Sequence, residues 1–131
     1  MRIREARSDD APAACVVLRR SITELCHADH GGNEGLLEKW LSNKTLDNVT
    51  RWIVQSHVVV AEESGTILGV AAMRDSGQIT LNYVSPDARF RGVSKALMLR
   101  LEARARTLGL TECVLETTRT ALRFSELGLH Q

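Results

Sequence analysis

The sequence predicts an α/β fold of the mixed α+β kind, and three observations carry that prediction. Apolar runs of strand length separated by glycine-containing turns occupy residues 58–84, a helical apolar period occupies residues 11–26 and 93–108, and the resulting order is strand, helices, strand meander, helix, strand, helix. No Pro/Gly/Ser-rich linker, repeat or low-complexity tract interrupts this order, so residues 1–131 read as one domain.

The elements follow from local signals. Arg2 to Ala6 reads as a first short strand. Ser8 is in place to cap a helix with Asp9 and Asp10 in its first turn, where negative charge suits the helix dipole. That helix is predicted to run to about Cys26 on the stripe Ala14, Val17, Leu18, Ile22 and Leu25. Residues His27 to Gly35 hold three glycines and read as a loop, followed by short helices at Leu36 to Leu41 and, behind a Thr45 cap, at Leu46 to Gln55. Val58 to Ala61 and Thr66 to Ala72 flank Ser64-Gly65 as a β-hairpin, and Gln78 to Val84 extends the meander after Asp75-Ser76-Gly77. Pro86 has no N–H to give a ladder and ends that strand. A helix then runs from Val93 on the face Val93, Ala96, Leu97, Leu101, Ala105 and Leu108, with Arg104 and Arg106 near its end and Gly109 as the stop. Glu112 to Thr117 is predicted as a further strand and Ala121 to Leu127 as a last helix.

Composition narrows the function classes. The 131 residues carry 17 Lys+Arg against 16 Asp+Glu, a formal net charge of +1, with 44% hydrophobic and 25% charged residues. Those values belong to a globular chain able to build its own core. The near balance of charge argues against nucleic acid as a partner. No apolar run approaches the roughly 20 residues of a membrane helix, and the charged start Met1-Arg2-Ile3-Arg4-Glu5 is unlike a signal peptide, so the expected location is cytoplasmic. Cys15, Cys26 and Cys113 are odd in number and widely spaced, and read as reduced thiols.

The chemistry concentrates where the third meander strand passes into the long helix, at Arg89-Phe90-Arg91-Gly92-Val93-Ser94. A glycine there lets a ligand approach the backbone, and the unpaired N–H groups of a helix start face the same spot. Arg89, Arg91 and Lys95 add positive charge suited to a pyrophosphate. The alternative at this level is that Gly92 only relieves a tight turn and the basic residues are solvated.

The stretch from Ile79 to Leu97 resembles the acetyl-CoA-binding core of the GNAT N-acetyltransferase superfamily. The family's Gln/Arg-x-x-Gly-x-Gly/Ala, following a strand that ends in Val-x-Pro, is matched by Arg89, Gly92 and Ser94 after Val84-Ser85-Pro86, with Ser94 departing from the usual Gly or Ala. The resemblance implies a central mixed, mainly antiparallel sheet flanked by helices, and acetyl-CoA as cosubstrate. It implies that the N–H groups of Phe90, Arg91, Gly92, Val93 and Ser94 cradle the pyrophosphate beside Arg89 and Lys95. It further implies that the strand around Tyr83 and Val84 pairs with the pantetheine arm, and that a primary amine attacks the thioester directly while a strand N–H stabilises the charge that develops.

Departures from the family pattern bear on catalysis. Gln78 stands where many members have a glutamate base, and an amide cannot take that proton. The family's tyrosine near the leaving sulfur falls on Ser125 or Phe124, depending on register, so Ser125 is a candidate donor to the thiolate. Tyr83 is the single tyrosine; it is a candidate at the site, though its alternation with Ile79 and Leu81 favours packing. Members usually continue beyond the final helix with a strand hairpin, whereas this sequence stops at Gln131, so either a tail lies outside it or the sheet is left open. An open edge at the strand Glu112 to Thr117 would then invite a homodimer. The run Cys26-His27-Ala28-Asp29-His30 reads as a polar loop rather than a metal site, and the resemblance puts His27, His30 and Glu34 near the acceptor. His57 and Glu116 read as structural or edge residues, and Trp40 and Trp52 as core anchors. The resemblance therefore supports an N-acetyltransferase acting on a small-molecule or peptide amine, with a catalytically weak coenzyme A-binding or assembly module as the alternative.

Overall fold

The computed structural model describes residues 1–24, 33–115 and 121–123. Along the chain lie β1 (Arg2–Glu5), a 3-10 turn (Ser8–Asp10), α1 (Ala11–Glu24), α2 (Glu34–Leu41), α3 (Leu46–Gln55), β2 (His57–Glu63), β3 (Thr66–Met73) and β4 (Gln78–Val84). A 3-10 turn (Pro86–Ala88), α4 (Val93–Thr107), β5 (Glu112–Leu115) and β6 (Ala121–Arg123) follow. The strands form one sheet in the order β1-β2-β3-β4-β5-β6, antiparallel throughout except for the parallel pair β4 and β5. This is the predicted mixed α/β architecture.

Each face of the sheet buries its own cluster. On one face α4 lays Val93, Leu97, Met98, Leu101 and Ala105 against Val59, Ala71, Met73, Ile79 and Cys113. On the other, Ala14, Val17 and Leu18 of α1 and Val49 of α3 pack on Val58, Val60, Val70, Ala72 and Leu81. Strands covered on both faces lose the polar alternation of a half-exposed sheet, which is why β3 is buried from Ile67 to Met73. Gly69 sets how closely α4 approaches. A Cβ there would lie 2.7 Å from Val93 Cγ1 and 3.0 Å from Leu97 Cδ1, so the first turns of α4 rest on bare backbone.

The structure corrects four local expectations. Ser8 does not cap α1, because Ser8–Asp10 forms its own 3-10 turn in which the Arg7 N–H donates to Asp10 Oδ2 at 2.7 Å. Arg4 holds that carboxylate through two hydrogen bonds of 2.8 and 2.9 Å and reaches Glu62 at 2.9 Å, so the acidic first turn serves a part-buried ion-pair cluster. In β4, Leu81 pairs with Ala72 but Ile79 pairs with Met73, which leaves Thr80 as a bulge residue. Ile79 consequently faces the α4 cluster while Leu81 and Tyr83 face the α1 cluster, so the simple alternation read from these positions fails. Leu108 caps the end of α4 and is exposed, and Met98 and Glu102 join the helix's buried face.

The fourth correction concerns residues 121–123. They form strand β6, antiparallel to β5 with Glu112, Cys113 and Val114 opposite Arg123, Leu122 and Ala121, where a helix was expected. The edge of β5 is covered over those positions, which removes the open-edge argument for a homodimer there. Leu25, Cys26, Glu116, Thr117 and residues 124–127 lie outside the described residues, whereas Cys15 and Cys113 are buried free thiols. No helix among the described residues is long and apolar enough to cross a membrane.

Candidate functional site

The junction between β4 and α4 is built from several local devices. β4 ends at Val84, and Ser85 donates its N–H to the Leu68 carbonyl at 2.7 Å while its hydroxyl accepts from the Asp87 N–H at 3.2 Å. Arg20 of α1 reaches both Asp87 carboxylate oxygens, at 2.9 and 3.3 Å, tying the Pro86–Ala88 turn to the opposite layer. The Arg20 guanidinium holds the Asp87 carboxyl below its ordinary range. The chain then turns through two left-handed residues, Phe90 at φ 62° and Gly92 at φ 74°. A bulky residue at positive φ is uncommon and clusters at binding sites. Nothing lies within 4 Å of where a Gly92 Cβ would sit, so the backbone there is open to a ligand.

Gly92 is the N-cap of α4, and the first turn-to-helix hydrogen bond is Ala96 N–H to the Gly92 carbonyl at 3.0 Å. The N–H groups of Val93, Ser94 and Lys95 therefore precede the helical ladder, at the positive end of a fifteen-residue helix. They border a pocket of about 300 Å³ lined by Val84, Ala88, Arg89, Phe90, Gly92, Val93, Ser94 and Lys95. Backbone donors, a helix N-terminus and two flanking cations make this an anion cradle. The Arg89 guanidinium lies 4.8 Å from the centroid of the Phe90 ring, which is 94% exposed. Ser94 donates its hydroxyl to Asn82 Oδ1 at 3.0 Å, joining the first turn of the helix to β4.

β4 also presents backbone toward the pocket. Because the Ser85 N–H points at β3, strand alternation directs the main-chain groups of Val84 and Asn82 to the opposite side, where β5 would lie. The β4–β5 register among the described residues is Gln78 with Val114 and Ile79 with Leu115, whereas β4 continues to Val84. A second hollow, of about 210 Å³, meets β4 at the bulge and is lined by Asn43, Lys44, Trp52, Ser56, Arg74, Thr80 and Leu81.

The sequence-predicted residues separate into groups. Val84, Arg89, Phe90, Gly92, Val93, Ser94 and Lys95 converge on the anion cradle. Arg91 instead ion-pairs with Glu63 in the β2–β3 hairpin and holds that carboxyl below its usual range. Tyr83 is half-buried against the α1-side cluster. Gln78 accepts a hydrogen bond from Arg74 Nη1 at 3.1 Å. Ser125, Phe124, His27, His30 and Glu116 lie outside the described residues. Glu34 is exposed at the start of α2, and His57 begins β2 with Nδ1 3.6 Å from Glu5. Trp52 packs against the core, as expected, but also lines the second hollow. Sequence reading missed Asn82, Lys44 and Arg74. Asn82 carried a signal, as a polar residue within the strand next to the loop; the other two are thirty residues apart and carried none.

The family profile of the acetyltransferase (GNAT) domain matches residues 26–127. The chain belongs to the GNAT family. It is 32% identical over 116 residues to an amino-acid acetyltransferase of Ectopseudomonas mendocina, an alignment covering 82% of this chain and 27% of that protein. The chain thus spans about a quarter of the length of this relative. Among solved structures, a GCN5-related N-acetyltransferase from Rhodopseudomonas palustris superposes with a TM-score of 0.79 at 23% identity, covering 87% of this chain and 71% of that one. The PaiA N-acetyltransferase of Thermoplasma acidophilum, in complex with coenzyme A, gives a TM-score of 0.74 at 20% identity, covering 87% and 77%. These two structures share the fold of this chain.

Proposed function

We propose that this chain is an acetyl-CoA-dependent N-acetyltransferase that transfers the acetyl group to a primary amine by direct attack. The observation that carries this reading is the open left-handed Gly92 at the N-terminus of α4, with Arg89 and Lys95 on the rim of the same pocket. In this reading the N–H groups of Phe90 to Ser94 hold the pyrophosphate. The arm of the cosubstrate lies along β4, pairing with the outward main-chain groups of Val84 and Asn82. One of those N–H groups donates to the thioester oxygen and stabilises the charge that builds as the amine attacks. The amine displaces the thiolate of coenzyme A, and holding the two reactants together supplies much of the acceleration.

Proton removal does not run through Gln78, whose oxygen is engaged by Arg74 and whose amide has no basic lone pair at neutral pH. The proton leaves to solvent or through water. In this reading Ser125 donates to the departing thiolate, and Tyr83 lies at the site beside Val84. The acceptor class is suggested by the relative named amino-acid acetyltransferase, and a small amine or amino acid is the expected substrate. The Gln78–Arg74 contact also favours a second reading, a coenzyme A-binding module with little turnover. A thiol-release assay with acetyl-CoA and a panel of amines decides between them. Turnover that saturates with one acceptor supports the transferase, and tight acetyl-CoA binding with no thiol release on any amine supports the binding module.

A further inference from the structure

The side chain of Phe90 is placed where an apolar ring has least reason to be. It is 94% exposed, and its backbone sits in the left-handed region at φ 62°, a conformation that is uncommon for a bulky residue and costly to hold. Packing does not account for either feature, because so exposed a ring gains almost nothing from burial.

Contacts on both sides hold the loop in that shape. Ahead of it, Arg20 of α1 grips the Asp87 carboxylate at 2.9 and 3.3 Å, and Ala88 is buried. Behind it, Arg91 pairs with Glu63 in the β2–β3 hairpin. The flanking residues are tied to the body of the fold, and Phe90 between them turns outward. Its ring has the Arg89 guanidinium 4.8 Å from its centroid, and both side chains line the same pocket as the first turn of α4.

An aromatic face with a guanidinium beside it takes a flat heterocycle by stacking, an interaction open to any nucleobase because each has a π face. On the rim of the same pocket, the N–H groups of Val93, Ser94 and Lys95 suit an anion. A flat platform beside an anion cradle matches a ligand in which a base is joined through a sugar to phosphates, and coenzyme A is built that way. We propose that the Phe90 ring, backed by Arg89, is the platform on which the adenine of the cosubstrate stacks, and that the left-handed turn at Phe90 aims the ring at it. Phe90 then determines specificity for the nucleotide end of acetyl-CoA, where the cradle itself reads only charge. The inference rests on the reading that the cradle holds the pyrophosphate, and goes beyond it by giving a side chain to the base.

Saturation-transfer NMR of coenzyme A with the full chain tests this, since the ligand carries its own control. With the parent chain, the adenine ring protons should receive saturation at least as strongly as the pantetheine methyl protons. Phe90→Asn accepts the left-handed turn without the ring. It should lower the adenine signal relative to the methyl signal, weaken calorimetric acetyl-CoA affinity about tenfold, and melt at or above the parent's temperature. Phe90→Trp should keep the adenine signal and the affinity, whereas Phe90→Leu, apolar but not aromatic, should behave as Phe90→Asn does. An adenine signal absent from the parent, a signal unmoved in Phe90→Asn, or full retention by Phe90→Leu overturns the inference. So does sedimentation in which Phe90→Asn breaks up a dimer of the parent, since the exposed ring would then belong to contact with a second copy of this chain. Coenzyme A that gives neither saturation at any proton nor calorimetric heat strikes the cradle reading, and this inference with it.

Discussion

At Gly92 a backbone conformation and a function meet. Its φ of 74° costs an L-residue about 1–2 kcal/mol, while the space around its missing Cβ is open. Gly92→Ala should therefore cost about 1–2 kcal/mol of stability and retain part of the acetyl-CoA affinity. Gly92→Glu adds negative charge in the cradle and should abolish calorimetric binding in a chain that still melts cooperatively. A different residue-scale device is Asp10, 8% exposed and gripped by Arg4 and by the Arg7 N–H. The hydrogen bonds from Arg4, more than any other contact, hold its carboxyl below the ordinary 3.8. Its contribution is thus fully present above pH 3.8 and is lost as pH falls through the folded value. Asp10→Asn should cost about 1–3 kcal/mol at neutral pH and shallow the acid limb of the stability curve in urea titrations. His57 works with the same sign. Burial, followed by the charge of Arg104, holds its imidazole below 6.5, so neutral His57 stabilises the fold above pH 6.5 and that contribution fades as pH drops below it. His57→Gln should flatten the change in melting temperature across that range.

Among the elements, β3, β4 and α4 place the site as a unit. α4 reaches β3 because Gly69 has no side chain, so Gly69→Val should push its first turn outward, where a Cβ would already meet Val93 at 2.7 Å. The expected result is a loss of about 1–3 kcal/mol from overpacking, read in urea, together with weakened acetyl-CoA binding through displacement of the N–H groups of Val93 and Ser94. The cradle was legible in the sequence because it is local. Val84, Pro86, Gly92 and the helical period from Val93 are contiguous, and each signal has one conformational meaning. The bulge at Thr80 was not, since Ile79, Leu81 and Tyr83 read as one face and only pairing with Ala72 and Met73 shows the slip. Strand β6 was missed because the short apolar segment from Ala121 has no period long enough to separate strand from helix, and its pairing with β5 decides the matter.

Among the described residues the molecule is a sheet with one cluster on each face, the cradle on the α4 side and the second hollow on the α1 and α3 side. The fold class was readable from element order, whereas the meeting of Lys44 with Arg74 depends on α1 pinning a loop thirty residues distant from the β3–β4 turn. A ligand that binds only the folded chain should raise its stability by about 2.7 kcal/mol at 100 times its dissociation constant, so acetyl-CoA at that excess should shift the melting curve upward. Whether the Gly92 cradle holds the cosubstrate is read by calorimetric titration of acetyl-CoA into the purified full chain, beside Gly92→Glu. A micromolar dissociation constant is expected for the parent chain and no heat for the variant. No binding by the folded parent chain, or equal binding by Gly92→Glu, would contradict it.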